Sequence, residues 1–453
     1  MPIENGVAPS LRFVARRGAD SVSRTIPLRR AGATAAVPQD PTIMEGPVRS
    51  WERWVRMRRL PSDTADSATQ WRPIYSRWRP GGEVALPLPQ GMRLRAEVRT
   101  NHSIGLAIAP GMRVWIPAVD ADSGAPARAP LLRAGAPLMR EQSDGLLLSI
   151  PLPERLPTTV ELSGERLLWT VYGAEWATRP DPRDGNGKPV RRMVPRDSSS
   201  GRLVVDLGLS ELPLGWRTEW HGGMIHLRVR RVPVPSTSLR GLVVVLDAGH
   251  PPHGTIGPSG LEEDSVTLAV ARAAAAQLKA RGATVILTRS TPAAVSLEAR
   301  AVVAEQTDAH LFISIHVNAP GPGRPPGAVY GTQTFWTNPN GRALARLLLN
   351  EVSKSMAQPA IGSYQTEFAV LRPAWTTAVL VEGTGIVIPE REAFLRTQAG
   401  VEAYAAGIVN AVARWHRSAA VRTLPASRPR QPPPLGGAAD GRRSPAGRPM
   451  EPS

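Results

Sequence analysis

The chain has 453 residues, 42% of them hydrophobic, too long for one compact domain and apolar enough to build two or three cores. Its formal net charge is +17, but the basic residues are dispersed and include both ends of the chain. No aromatic-basic stripe or motif organises them, so nucleic-acid binding is not expected. Cysteine is absent, which excludes disulfides and thiolate metal sites and leaves any metal to His, Asp or Glu.

In chain order, residues 1 to about 45 are poor in apolar side chains and rich in Arg, Ala and Pro, and read as a disordered leader. Arg16 and Arg17 are followed by no apolar h-region, so no secretion signal is read, and no apolar run is long enough to span a bilayer. From 46 to 235, short β-type runs alternate with clusters of Pro, Gly, Asp and Ser. The clearest are RLRAEV near 93, MRVWIPA near 112, LLLSI near 146, RLLWTVYGA near 166, RLVVDLGL near 202 and MIHLRVRRV near 224. That spacing predicts small all-β modules, barrels or sandwiches, divided here into 46–158 and 159–235.

At VPVPSTSLRG, residues 232 to 241, the texture changes to alternating strands and helices. LVVVLDAG is continuously apolar, as a strand buried on both faces must be. A helix over 263–281 ends at Gly282, and ATVILTR, HLFISIH, GAVYGTQTFW and TAVLVEG are the following strands. Helices are predicted from Ser296, a capping residue, from about Asn340, and up to about His416. The fold class expected is an α/β catalytic domain over 238–418, with a mainly parallel sheet flanked by helices, preceded by the β-rich region. Residues 419–453 read as a disordered Pro/Arg-rich tail.

Polar groups stand at the ends of these buried strands, where ligand sites of open α/β sheets form. His250 follows LVVVLDAG, His316 ends LFISIH, Glu382 ends AVLVE, and Glu263 opens the first helix. Ionisable groups in such places are costly without partners, and a shared metal is one partner. Two imidazoles and a carboxylate with one open position suit a catalytic zinc, and a further carboxylate suits a general base. Taken singly, each residue has a plainer reading. A strand-end His is usually a hydrogen-bonded structural residue, Glu263 suits a helix N-terminus, and Glu382 has Arg372 available as a partner.

The stretches VVVLDAGH (243–250), GPSGLEEDSVTLAVA (257–271), GATVILTR (282–289), SLEAR (296–300), DAHLFISIHVNA (308–319), FAVLR (368–372) and AVLVEGTGIVIPEREAFL (378–395) occur in one order. Together they resemble the zinc-dependent N-acetylmuramoyl-L-alanine amidase family, over about 240–415. The resemblance implies Zn2+ held by His250, Glu263 and His316, with Glu382 as the catalytic glutamate. Glu262 is passed over because the family's glutamate lies three residues beyond the glycine that is Gly260 here. The implied substrate is peptidoglycan, cut at the amide between the lactyl group of N-acetylmuramic acid and L-alanine, in the periplasm or cell envelope. Asn318 is expected to shape the site, and Asp247 to orient backbone or a ligand rather than bind metal. Pro251 and Pro252 replace two family glycines, the 250–263 loop is short, His253 is an extra imidazole, and Glu305 stands where Asn is common.

The stretch 90–122 resembles a bacterial SH3-like module, and 160–232 the β-rich targeting domains that precede many cell-wall amidases. Wall binding is therefore expected of the N-terminal half, which shows no metal-type cluster: His102 and His221 are far apart in sequence. A helical plug over the site is not expected, since APGPGRPPG leads straight from His316 to the next strand, and the part from 238 to 418 is expected to act alone. Two other functions compete: a zinc hydrolase of another amide, such as a deacetylase, and a catalytically weak wall-binding protein.

Overall fold

The computed structural model describes residues 10–17, 20–27, 46–58, 73–185, 189–198, 200–251, 254–321 and 324–418. Within the leader expected to be disordered, Ser10–Arg17 and Asp20–Pro27 pair as an antiparallel hairpin, from Ser10↔Pro27 to Arg17↔Asp20. The rest of that leader and the tail 419–453 lie outside the described residues.

The N-terminal half is β throughout. Seven strands from Arg49–Met57 to Ala121–Ser123 make one sheet, with Leu94, Leu106 and Val114 buried completely. A second module holds three further sheets, of two, four and five strands, closed over one core containing Leu148, Trp169, Leu207 and Leu227. Here the expected boundary between 158 and 159 is corrected. Strand Gly145–Pro151 pairs along its whole length with Met224–Arg230, so the second module begins at about Leu132. A pairing between strands so far apart in sequence leaves no trace in local composition, which is why the texture of the chain misplaces the division.

The C-terminal domain is an α/β sandwich, its six strands numbered β1 to β6. They are β1 (Val243–Ala248), β2 (Thr284–Leu287), β3 (Leu311–Asn318), β4 (Thr332–Trp336), β5 (Ala360–Gln365) and β6 (Thr377–Gly385). The sheet order is β2-β1-β3-β6-β4-β5, parallel except between β4 and β6. The helices are α1 (Glu263–Ala280), α2 (Leu297–Gln306), α3 (Arg342–Ser355), α4 (Pro389–Leu395) and α5 (Gln398–Arg417). Ser296 caps α2, its hydroxyl accepting from the Ala299 amide at 3.2 Å.

Alternate residues of β1 serve opposite faces. Val244, Leu246 and Ala248 join the core under α1, α3 and α5, while Val245 joins Phe312, Leu380 and Ala304 on the α2 side. The edge strand β5 was not anticipated; its residues are intermediate or exposed, so it carries no buried apolar run to read. GAVYGTQTFW is only partly a strand: Pro326–Val329 form a 3-10 turn before β4. Among the described residues, nothing helical beyond that turn lies between β3 and β4.

The second β module is joined to the α/β domain at the starts of its strands. Trp375, just before β6, is fully buried, with the guanidinium groups of Arg217, Arg228 and Arg230 at 3.9, 5.2 and 4.7 Å from its ring centre. Arg230 donates to the carbonyls of Asp308, Ala309 and Trp375, and the Leu214 carbonyl accepts from Asn340 and Thr377. Leu214 and Val232 belong to the α/β core itself. Glu305 sits near this junction, its carboxyl pushed up to about 6 by burial against the pull of Arg217.

This contact changes what is expected of the fragment 238–418. Cutting there uncovers Trp375 and strands several hydrogen-bonding groups, a loss of about 2–4 kcal/mol. Thermal unfolding is therefore expected to show 238–418 melting well below 129–418, which keeps the second module. Equal melting temperatures would mean that the junction adds no stability.

Candidate active site

His250, Glu263 and His316 arrive from three elements at the carboxyl ends of β1 and β3. Gly249 ends the run after β1, and a Cβ there would fall 2.4 Å from the His316 ring, so glycine is what lets the two imidazoles approach. Their ring centres lie 4.9 Å apart, edge to face. His250 adopts φ +56°, a region unfavourable for a side chain with a Cβ, and the peptide to Pro251 is cis.

Glu263, the first residue of α1, points between the two rings and is only 3% exposed. Its Oε1 lies 3.1 Å from His316 Nδ1 and its Oε2 3.4 Å from His250 Nε2. The same carboxylate accepts from the Thr255 and Val317 amides. Burial alone would raise its pKa, but the hydrogen bonds from His250 and His316 outweigh it and hold the carboxyl far below the usual range. One ligand atom from each of the three residues lies within 4.8 Å of the others, and no other such group occurs among the described residues. Glu262 is exposed and precedes α1 as its N-cap.

Glu382 lies beside this cluster on β6. It faces His316 across the β3–β6 ladder and Gln333 across the β4–β6 ladder. Its Oε2 is buried with no hydrogen-bond partner among the described residues, and burial pushes its carboxyl up to about 7, against the opposing pull of His316. Arg372 is no partner for it: that guanidinium pairs with Glu367 at 2.8 Å and lies over the Tyr75 ring.

Other residues hold the site in place. Asp247 is 1% exposed and accepts from Thr288, Arg300 and Ser314, all within 2.8 Å. Arg300, equally buried, reaches from α2 to the carbonyls of Ala248, His250 and Pro251. Arg289 takes the carbonyls of Ala248, Gly249 and Asp264. Glu392 of α4 is 2% exposed and accepts the amides of Ser259 and Leu261, tying down the loop before Glu263. None of Arg289, Arg300 and Glu392 was singled out from sequence, although each lies inside one of the stretches that carry the resemblance.

Asn318 donates to Gln333 at 2.7 Å, next to Glu382. His253 and Pro252 lie outside the described residues. In the β module, His221 stacks on His226, whose ring nitrogen bonds Ser149 at 2.8 Å.

Fold and site together define a mainly parallel α/β domain with a two-histidine, one-carboxylate cluster at its strand ends, beside a glutamate with one buried oxygen that has no hydrogen-bond partner among the described residues. Residues 244–414 match the family model described as N-acetylmuramoyl-L-alanine amidase, and the chain belongs to that family. The chain is 32% identical over 146 residues to the uncharacterized protein YqiI of Bacillus subtilis, a match covering 32% of this chain and 70% of that one. It is 31% identical over 144 residues to N-acetylmuramoyl-L-alanine amidase LytC of the same organism, covering 31% of this chain but 29% of LytC. The probable cell wall amidase LytH of Staphylococcus aureus is 30% identical over 188 residues, 41% of this chain and 61% of LytH. Among solved structures, an N-acetylmuramoyl-L-alanine amidase from Clostridium difficile 630 aligns over 41% of this chain and all of its own, at 25% identity and a TM-score of 0.37.

Proposed function

We propose that this chain hydrolyses the amide between the lactyl group of N-acetylmuramic acid and L-alanine in peptidoglycan, at a zinc held by His250, Glu263 and His316. The observation that carries the reading is a three-residue donor set placed beside a buried carboxyl oxygen that has no hydrogen-bond partner among the described residues. Two imidazoles and an ionised carboxylate are a donor set that zinc accepts while keeping a position open. Zinc held there supplies Lewis acidity, polarising the scissile carbonyl and making water more acidic.

The chain's own groups do the rest. Glu263 stays ionised because two histidines and two backbone amides favour its charge. Arg289 and Arg300 fix the backbone from which His250 projects. Glu382 takes the proton of the attacking water and returns it to the departing amine. A carboxyl raised to about 7 by burial exchanges protons near neutrality in both directions. Asn318 and Gln333 brace the wall beside Glu382.

The β modules target the enzyme to the wall rather than catalyse. They meet the α/β domain near Trp375, roughly 20 Å along β6 from Glu382 at about 3.3 Å per residue. Relatives named cell wall amidases support work in the cell envelope.

Mass spectrometry of purified muropeptides tests the reaction: free stem peptide with an L-alanine amino terminus is expected with the full chain, and none after chelation. Cleavage at any other bond would reject the substrate. Elemental analysis tests the ligands. Alanine at His250 or His316 is expected to strip the zinc, while Glu262→Ala keeps it. Stoichiometric zinc in both histidine variants would overturn the assignment.

A further inference from the structure

The two β modules do more than stack on one another. Between them lies a groove of about 870 Å³, a size that accommodates a substantial ligand. Its walls are tied across the junction by two contacts. Arg93 pairs with Glu154 at 2.6 Å, and Arg155 donates to the Gln90 carbonyl at 2.8 Å. The groove is therefore a built feature of the junction.

Its lining has four arginines and two carboxylates. Both carboxylates are already engaged, Glu154 by Arg93 and Asp122 by Arg58 at 2.8 Å. The Arg56 side chain is exposed and has no hydrogen bond or ion pair among the described residues. Arg155 has no carboxylate partner among them; its guanidinium lies 5.5 Å from the ring centre of Trp220. Trp220 turns its N–H inward to the Leu152 carbonyl at 3.3 Å and leaves part of its ring surface open. Gly91, with φ +78° and no atom within 4 Å of the Cβ position, leaves the rim unobstructed. Guanidinium groups without a carboxylate partner among the described residues, next to an apolar ring, select a ligand that carries carboxylates on a backbone of rings.

We propose that this groove is a second, non-catalytic binding site for a carboxylate-bearing glycan-peptide strand: uncut peptidoglycan, gripped by Arg56 and Arg155 with a sugar ring against Trp220. The assignment rests on the reading of peptidoglycan as the substrate and names where the N-terminal half would hold it.

The test uses the full chain carrying Glu382→Gln, so that binding is measured without digestion. Sedimentation with purified sacculi is compared for Arg56→Glu, for Arg56→Gln with Arg155→Gln, and for Arg140→Glu, an exposed charge reversal off the groove. Losing one charge-assisted contact is expected to weaken half-saturation about tenfold in Arg56→Glu, and losing two by at least as much in the double variant. Arg140→Glu should stay within about twofold, as befits a remote surface charge. Equal weakening by Arg140→Glu would overturn the proposal in favour of bulk charge. Hydrogen exchange with soluble peptidoglycan strands then locates the contact. Slowing at 56–58, 90–93 and 153–155 supports the groove. Slowing elsewhere in 49–230 overturns the groove but leaves wall targeting standing. Slowing confined to 250–263 and 316–318 overturns both. Absence of any binding or muropeptide cleavage by the unsubstituted chain would remove the peptidoglycan reading itself.

Discussion

Glu382→Gln is expected to lower muropeptide turnover by about two to four orders of magnitude, the usual loss when a positioned acid/base group is removed. The amide keeps the size of the side chain but cannot accept a proton. Zinc content should be unchanged, because the proposed ligands are His250, Glu263 and His316. Melting temperature should hold or rise. The native carboxyl has a buried oxygen with no hydrogen-bond partner among the described residues, so its charge is poorly accommodated, and a neutral amide relieves that cost. A merely structural glutamate would give the reverse: a lower melting temperature with most of the turnover retained. Turnover, zinc content and melting temperature on this one variant therefore separate the two roles. A folded, zinc-loaded Glu382→Gln protein that turns over near the normal rate would sink the proposed mechanism.

The second large effect is expected at Arg300, which no part of the chemistry touches. Its side chain is 2% exposed and its partner Asp247 is 1% exposed, so Arg300→Ala leaves a buried carboxylate without its cation. Breaking such a pair from one side typically costs about 3–5 kcal/mol. For a unit of this size that is a fall in melting temperature on the order of 10 °C. The carbonyls of Ala248, His250 and Pro251 lose their donor as well, so the backbone carrying His250 should loosen and zinc should bind more weakly. Arg300→Lys should rescue little, because one ammonium cannot span the acceptors that a planar guanidinium reaches. Calorimetry of Arg300→Ala, Asp247→Asn and the double variant checks this. Additive losses would show that the two side chains do not act as a pair.

Much of the α/β domain was legible because its signals are local. A strand buried on both faces must read as a continuous apolar run, and a helix start must supply a cap, as LVVVLDAG and Ser296 do. The polar residues that close those runs stood out for the same reason: His250, His316 and Glu382 interrupt apolar sequence where a charge is costly. The glycines after Glu382 answer instead to close packing: a Cβ at Gly383 would fall 2.3 Å from the ring of Tyr404, and one at Gly385 would meet Val329. Tyr404 fills that space and donates to the carbonyls of His316 and Val381.

The sequence by itself determined the order of most strands and helices after residue 241, though not β5 or α4, together with the absence of thiolate ligands and a small set of strand-end residues fit for chemistry. Tertiary structure alone decided that Arg289, Arg300 and Glu392 hold the loops of the site, that the second β module begins near Leu132, and that Trp375 joins this module to the α/β domain. The division has a physical cause. Periodicity and capping are set by residues within a few positions of one another, whereas each of these contacts joins residues dozens of positions apart.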